Sequence, residues 1–403
     1  MKVLFIWNVI PDEEITVVKG HSVAGNRMQL GILKGLTRHI PGSVSSLTIY
    51  PIASYPKEKH IFIKEKQLNV TKHITTHQIS FINIFFIKQL MQIINGFLYG
   101  FRWARLLSKN DKKIIICYNA MSMTALPTIW VSKLFKCKSV CILADPPIDI
   151  QKRGKLGRLV YKIDSIISKR NLKAFDGIVT LNEEAAELYA PGTPYLIIDG
   201  GFSLDEDFRS KEKILLSTDD SKTKRIMFAG TLADHNGIRN LLAVFTLIKN
   251  TNYRLIIYGS GPLEDYVKKA SKEDQRIIYM GMKPNKEVKI AQQNVDLLIN
   301  PRPVNDMMSR LTFPSKLIEY MLSGTPVITT RLNGITEDYY PYLYFFDEET
   351  PEAFAQKITE VLGLDQEERR KKGIAAREYV IKNKNWDVQC RKIVEFIFKE
   401  GSH

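Results

Sequence analysis

The sequence predicts an α/β chain made of two doubly wound domains, each a parallel sheet covered by helices. Short β-branched runs alternate with longer stretches of helical period, the pattern of strands joined by crossover helices. The pattern runs twice, interrupted by the polar stretch 200–221. The 403 residues exceed one ordinary core and match two domains of roughly 150–200 residues each. With 44% apolar and 25% charged residues, global disorder is excluded.

Strands are expected at 3–7, 45–50, 114–118, 139–143, 177–181 and 195–198, then at 225–229, 253–258, 277–280, 295–300 and 326–329. This sets an N-terminal domain at 1–205 and a C-terminal domain at 206–385. Two such domains facing each other across a cleft put ligands at the carboxyl ends of the strands. A single dinucleotide-binding domain with a partner domain is the rival architecture. It lacks its fingerprint, because the turn from Asn8 to Gly25 is long and carries no G-x-G-x-x-G. The apolar run Met1 to Trp7 is too short for a secretory leader, is followed by Pro11-Asp12-Glu13-Glu14, and reads as a strand. The most apolar stretch, 80–101, is interrupted by Lys88, Gln89, Gln92 and Asn95 and falls short of a membrane-spanning helix. Cys117, Cys137, Cys141 and Cys390 form no CxxC pair, which argues against a disulfide framework or a zinc site and suits the reducing cytoplasm.

Four strand-end loops of the second domain carry the chemistry. In Gly230-Thr231-Leu232-Ala233-Asp234-His235-Asn236-Gly237, one glycine closes a strand and another opens a helix, so backbone amides can approach an anion at the helix's positive end; the same glycines also suit a plain turn. Gly259-Ser260-Gly261 repeats the strand-to-helix turn, and Gly281-Met282 is short enough to offer backbone groups to a planar base. The fourth loop is the most specific. It runs Asn300-Pro301-Arg302, then Arg310-Leu311-Thr312-Phe313-Pro314-Ser315-Lys316-Leu317-Ile318-Glu319. Pro314 suits the first turn of a helix, Ser315 and Lys316 then lie at its anion-attracting end, and Glu319 stands one turn deeper on their face. Amides and a lysine suit a pyrophosphate, and the carboxylate suits two ribose hydroxyls. The alternative is an ordinary i,i+3 surface pair of Lys316 and Glu319.

In these residues the second half resembles the donor-binding domain of a family 4 glycosyltransferase of the GT-B fold, two Rossmann-like domains facing across a cleft. The likeness follows the order of all four loops over 228–329. Asn-Pro-Arg followed by Phe-Pro-Ser-Lys-x-x-Glu-Tyr is similar to a bacterial surface-polysaccharide branch. Asn385-Trp386-Asp387 and the helical run after it resemble the segment that crosses back, adding 386–403 to the N-terminal domain. The resemblance implies sugar transfer with retention of anomeric configuration, no metal and no cofactor. It implies a UDP- or GDP-sugar donor and a glycan or polyprenyl-linked acceptor. A sugar-nucleotide epimerase of the same architecture, or a non-catalytic nucleotide-sugar-binding subunit, is the alternative. The chain departs from the family at Thr231 and Asn236, where an arginine and a lysine are usual, and at Leu311, where a first glutamate is usual. Lys316, then Arg302, are expected to replace the missing cations, while Arg310 suits either that role or a loop surface.

The first half is expected to bind the acceptor. Gly25 and Asn26, in a small-residue loop before a helix at 27–36, can meet the phosphate and the acceptor, or Asn26 can simply cap that helix. Asp145, in Asp145-Pro146-Pro147, can accept a hydrogen bond from a sugar or acceptor hydroxyl, which makes it catalytic with Lys316 and Arg302, or it can form a turn ahead of the prolines. His73 and His77 have no acidic neighbour in sequence and read as surface or packing residues. Asp205-Glu206-Asp207 spells a DxD but lies in the interdomain linker, so no metal site is expected.

Residues 1–200 carry 27 Lys and Arg against 14 Asp and Glu, whereas the rest of the chain carries 31 against 29. The basic excess therefore belongs to the N-terminal half. Two tracts, 57–113 and 133–173, each hold 11 cations against 3 anions, and the first encloses the apolar stretch. With aliphatic rather than stacking residues interleaved and no nucleic-acid module, this points to an anionic membrane surface and not to nucleic acid. The expected location is cytoplasmic, peripheral to the inner face of the cell membrane. The alternative is that Phe81, Phe85, Leu90, Ile94 and Phe97 pack in the N-terminal core.

Overall fold

Five consecutive apolar residues, Val3 to Trp7, make β1 (Lys2–Trp7) a strand buried on both faces, and a parallel sheet grows outward from it. The computed structural model describes residues 1–14, 18, 22–71, 74–148, 155–203 and 223–399. Its first unit comprises Met1–Gly201 and Trp386–His403, and its second Phe202–Asn385.

The first unit adds β2 (Val44–Thr48), β3 (Phe62–Ile63), β4 (Lys66–Thr71), β5 (Ile74–Gln78), β6 (Phe81–Ile82), β7 (Lys113–Tyr118), β8 (Lys138–Leu143), β9 (Gly177–Thr180) and β10 (Tyr195–Ile197). Eight of these strands form one sheet in the order β10-β9-β8-β7-β1-β2-β5-β4. Every pairing is parallel except β4 on β5, an antiparallel edge. The sequence reading lacks this hairpin because β4 is polar on its outer face and buries only Leu68 and Val70. The helices are α1 (Val23–His39), α2 (Ile87–Leu106), α3 (Ser122–Phe135), α4 (Lys155–Leu172) and α5 (Glu183–Tyr189). α1 starts four residues before the expected 27–36, because the Ser22 hydroxyl accepts from the Gly25 amide and is the true cap. Asn26 is therefore inside the helix, not at its cap.

The second unit is a parallel six-stranded sheet of β11 (Lys224–Ala229), β12 (Tyr253–Tyr258), β13 (Ile277–Gly281), β14 (Leu297–Asn300), β15 (Val327–Thr329) and β16 (Tyr344–Phe345), in the order β13-β12-β11-β14-β15-β16. Its helices are α6 (Ile238–Leu247), α7 (Glu264–Glu273), α8 (Asn285–Gln292), α9 (Met307–Leu311), α10 (Lys316–Ser323), α11 (Pro351–Gly363) and α12 (Gln366–Asn383). Leu241, Phe245, Leu255, Ile257, Phe354 and Ile358 are the centre of its core. The strand order reverses between β11 and β14, as it does between β1 and β7 in the first unit. In open α/β sheets ligands bind outside the carboxyl ends of the strands at such a reversal.

The last helix, α13 (Trp386–Phe398), belongs to the first unit and packs along α1. Two glycines of α1 make the groove it lies in. A Cβ on Gly31 would stand 2.1 Å from the Trp386 indole nitrogen, and one on Gly35 would stand 2.4 Å from the Cys390 Sγ. Gly31→Ala should therefore lower the urea midpoint of unfolding: overpacking costs about 1–3 kcal/mol, more than the roughly 1 kcal/mol a helical alanine returns. Gly363→Ala, where a Cβ meets nothing within 4 Å, should leave the midpoint unchanged or raise it. Equal midpoints for the two variants would show that the groove is not tight.

Candidate functional site

The reversal point of the second sheet opens where β11 leaves β14. β11 pairs with β12 as far as Ala229, but with β14 only at Ile226 and Met227. The polar groups of Ala229 that β14 leaves unpaired are taken by one side chain. The Tyr320 hydroxyl, fully buried on α10, accepts from the Ala229 amide at 2.8 Å and donates to the Ala229 carbonyl at 3.0 Å. Two glycines set the loops around this point. A Cβ on Gly259 (φ +131°) would lie 1.9 Å from the Gly230 carbonyl oxygen, and one on Gly237 (φ +76°) would lie 1.8 Å from that of Pro301. Only hydrogen fits at either place.

Two helices begin at this point without a side-chain cap, α6 after Gly237 and α10 after Ser315, whereas α9, α11 and α12 are capped by Asp306, Thr350 and Asp365. Uncapped amides and the helix dipole make such ends attractive to anions. Pro314 is buried and precedes the cap, one residue ahead of the expected first turn, and its carbonyl accepts from the Leu317 amide. Ser315 is exposed. The Lys316 ammonium donates to both carboxylate oxygens of Glu319, at 3.1 and 3.2 Å, and Gln292 Nε2 donates to Glu319 Oε1 at 2.7 Å. The Lys316–Glu319 pair is thus formed, and it is not an ordinary surface pair, because Glu319 is largely buried. Burial alone would raise the Glu319 pKa, but Lys316, Gln292 and Lys289 outweigh it and hold the carboxyl below its usual value.

Arg302 lies at the end of β14 with its guanidinium mostly buried; burial pulls its pKa down against the fields of Asp306 and Tyr320. Arg310 is exposed at the end of α9. Phe313 is 4% exposed and its ring packs on Tyr339, so its side chain belongs to the core and only its backbone is left to face a ligand. Asn236 is likewise buried, with its amide donating to the Thr231 carbonyl, so it pins the glycine loop instead of replacing a cation. Thr231 is exposed, Gly230 and Gly281 are half-buried, Gly261 approaches the Leu232 backbone, and Met282 is 74% exposed.

In the first unit, the Asn26 side chain accepts from the Ile10 amide and donates to its carbonyl, both at 3.0 Å. It locks the loop after β1 and offers nothing to a ligand, and Gly25 beside it is half-buried in the first turn of α1. Asp145 stands at the end of β8 with an exposed surface, yet the protein crowding its carboxyl raises the pKa, opposed by a hydrogen bond from Asn119 Nδ2 at 3.0 Å. Asn119, left-handed at φ +57° at the end of β7, also accepts from the Ala144 and Asp145 amides. His77 does have an acidic partner, Glu65, 2.9 Å from Nε2, and stacks on Tyr99. β4 and β5 bring these residues together across the edge hairpin. His73, the segment Lys19-Gly20-His21 and Asp205-Glu206-Asp207 lie outside the described residues. Among the described residues no group of three or more His, Cys, Asp or Glu side chains is placed to hold a metal ion.

Residues 223–363 match the family model of the glycosyl transferases group 1. A teichuronic acid biosynthesis protein by name, TuaH of Bacillus subtilis (strain 168), is 27% identical over 121 residues, which span 30% of this chain and 30% of that protein. Two solved structures are similar over nearly their whole length. The lipopolysaccharide outer core galactosyltransferase WaaB has a TM-score of 0.64 at 16% identity, covering 99% of each chain. HepE of Anabaena in complex with UDP has a TM-score of 0.64 at 13% identity, covering 98% of this chain and 99% of its own. The chain has the GT-B fold, and its residues 223–363 are those that match the glycosyl transferases group 1.

Sequence reasoning alone misses two polar residues of this chain. Asn119 carries its signal only in a left-handed backbone at a strand end, and His235 lies inside the glycine loop, overshadowed by its neighbour Asn236. Tyr320 stands within the quoted motif, but its partner Ala229 is 91 residues away. Tyr320→Phe should cost about 1–3 kcal/mol, since a buried amide and carbonyl lose their partner. Chemical denaturation of the variant checks this, and an unchanged midpoint would show that water takes over both bonds.

Proposed function

We propose that this glycosyltransferase moves a sugar from a nucleoside-diphosphate sugar to a glycan acceptor carried on a lipid, at an anionic membrane surface. One observation carries the donor half: two uncapped helix starts, Lys316 and the half-buried Arg302 lie on the loops where the second sheet reverses, with Glu319 one turn into α10. The amides of α6 and α10, with Lys316 and Arg302, take the diphosphate, and Glu319 takes two ribose hydroxyls. A nucleoside diphosphate leaves with a charge of about −2 to −3, and fixed donors aimed at that charge lower the barrier to departure. Lys316 arrives already paired with Glu319, so the donor has to draw the ammonium toward its phosphate, while Gln292 keeps the carboxylate oriented. Asp145, which accepts a hydrogen bond from Asn119, is the group of the first unit that takes a sugar or acceptor hydroxyl. Retention of configuration, and electrostatic work done by lysine and helix dipoles in place of a metal, complete the reading. UDP in one structural neighbour, UDP with glucose in another structure of it, and the surface-glycan names of two relatives support this choice of substrates.

The lipid half rests on the first unit. α2 exposes Phe86, Ile87, Leu90, Ile94 and Leu98; α3, packed on it, exposes Trp130 and Leu134; α4, packed on α3, exposes Leu159, Ile163 and Ile166. Phe81 is buried, but Leu90 is 59% exposed, so this face is not core. Arg102, Arg105, Lys133, Lys136, Arg158, Lys162 and Lys169 stand among these residues with their surfaces exposed or nearly so. No helix among the described residues is long and apolar enough to cross a membrane. Apolar stripes edged by cations fit the boundary of an anionic bilayer, at about 1 kcal/mol per basic residue near the surface.

Incubation with a panel of UDP- and GDP-sugars tests the reaction. Nucleoside diphosphate release that needs an acceptor supports transfer; an isomerised donor would identify an epimerase, and binding without turnover a non-catalytic subunit. Proton NMR of the glycan formed reads the anomeric configuration. Lys316→Ala should reduce kcat/KM by about 100- to 1,000-fold, the range for one electrostatic stabiliser, with little change in melting temperature. Glu319→Ala should also weaken the free nucleoside diphosphate. Near-normal turnover in both variants would remove the donor site from this loop. In liposome flotation, the protein should bind vesicles rich in phosphatidylglycerol, and detach in high salt or when Leu90 and Ile163 are both changed to Asp. Equal binding to neutral vesicles would sink the membrane claim alone.

A further inference from the structure

The loop Asp234–Asn236 holds one basic side chain that the donor site as described does not use. We infer that His235 is a ligand of the donor's diphosphate, reached from the glycine loop beside Arg302. The inference rests on the donor-site reading above. Its first support is position. His235 lies between Gly230 and Gly237, and Gly237 is pressed so closely on Pro301 that only a hydrogen fits between the two loops. The next residue after Pro301 is Arg302, so two basic side chains start from backbone segments in contact.

The second support is the want of a partner. The imidazole is half-buried, yet neither it nor the Arg302 guanidinium makes a hydrogen bond or ion pair with any described residue. The acids nearby are engaged elsewhere. Asp234 is held by Arg239 Nε at 2.7 Å, and Asp306 caps α9 by accepting from the Met308 amide at 2.9 Å. Asp306 is felt by both basic groups and Asp234 by His235, but neither lies in contact with them. A guanidinium and an imidazole brought together without a counterion form a place for an anion, and Thr231 and Asn236 supply no cation to the same loop. Burial, then the Arg302 charge, holds the His235 pKa below its usual value, so the ring is neutral at pH 7. A diphosphate beside it reverses the sign of the local field and favours the imidazolium, whose N–H then donates to a phosphate oxygen.

UDP-glucose and GDP-mannose are suitable probes, because their pyrophosphate diesters do not titrate between about pH 6 and 9. Calorimetric titration at pH 7.5 in HEPES and in Tris counts the protons taken up. The wild-type protein should take up a fraction of a proton with whichever probe it binds, and should lose about tenfold in affinity for each pH unit above the free pKa until the bound pKa is passed. His235→Gln should show no proton uptake and a flat profile, and should bind about tenfold more weakly near pH 6. His235→Lys should restore the affinity with a profile that stays flat. A His235→Gln protein with the wild-type proton count and slope would overturn the inference while leaving the donor site standing. A wild-type protein that binds neither probe would bring down the donor-site reading, and this inference with it.

Discussion

A single phenolic hydroxyl decides the geometry of the second unit. Strands β11 and β14 separate at the point where the sheet reverses, and a strand that loses its neighbour exposes a buried amide and carbonyl at a cost of about 1–3 kcal/mol. Tyr320 satisfies both groups of Ala229 from one position on α10. The sheet can therefore open at this point with both groups of Ala229 still satisfied. The same contact fixes α10 against the end of β11, one turn beyond Lys316. The aromatic ring does the work of a strand on one side and of a helix anchor on the other.

Around this opening the charges are arranged in unequal partnerships. Lys316 and Glu319 neutralise each other and are oriented by Gln292, so the site is ordered before any ligand enters. Arg302 is by contrast half-buried with no partner in contact among the described residues, and a cation partly withdrawn from water in this way is costly unless something later compensates it. The backbone adds fixed partial charges from two helix starts. On the proposed reading these features together compensate an anion with few side chains, without either cation of the usual glycine loop.

The first unit is held by a different constraint. Gly31 and Gly35 let α13 approach α1 closely enough for Trp386 and Cys390 to enter the core, and the chain passes from one unit to the other at a bridge between Phe202 and Asn385. With α1 and α13 thus sealed together, the apolar stripes of α2, α3 and α4 remain on the surface. Their exposure follows from period and packing: α2 turns Gly96, Gly100 and Ala104 toward its neighbours, and no side chain there is large enough to draw Leu90 and Ile94 inward.

The sequence by itself determined most of the strand series and the loops at the strand ends, because short β-branched apolar runs and glycine punctuation are local properties. It located Lys316 and Glu319 for the same reason, since three residues on a helix fix a face. It placed the polar edge hairpin nowhere, because β4 is a strand only by virtue of β5 beside it. It offered Asn26 as a ligand of the phosphate and the acceptor or as a cap, because local spacing does not reveal that Ile10 claims its side chain. Phe313, Asn236 and His235 were beyond its reach in the same way. Whether a side chain faces a ligand, a core or another loop depends on partners tens of residues away in the chain, and only tertiary packing brings such partners into contact.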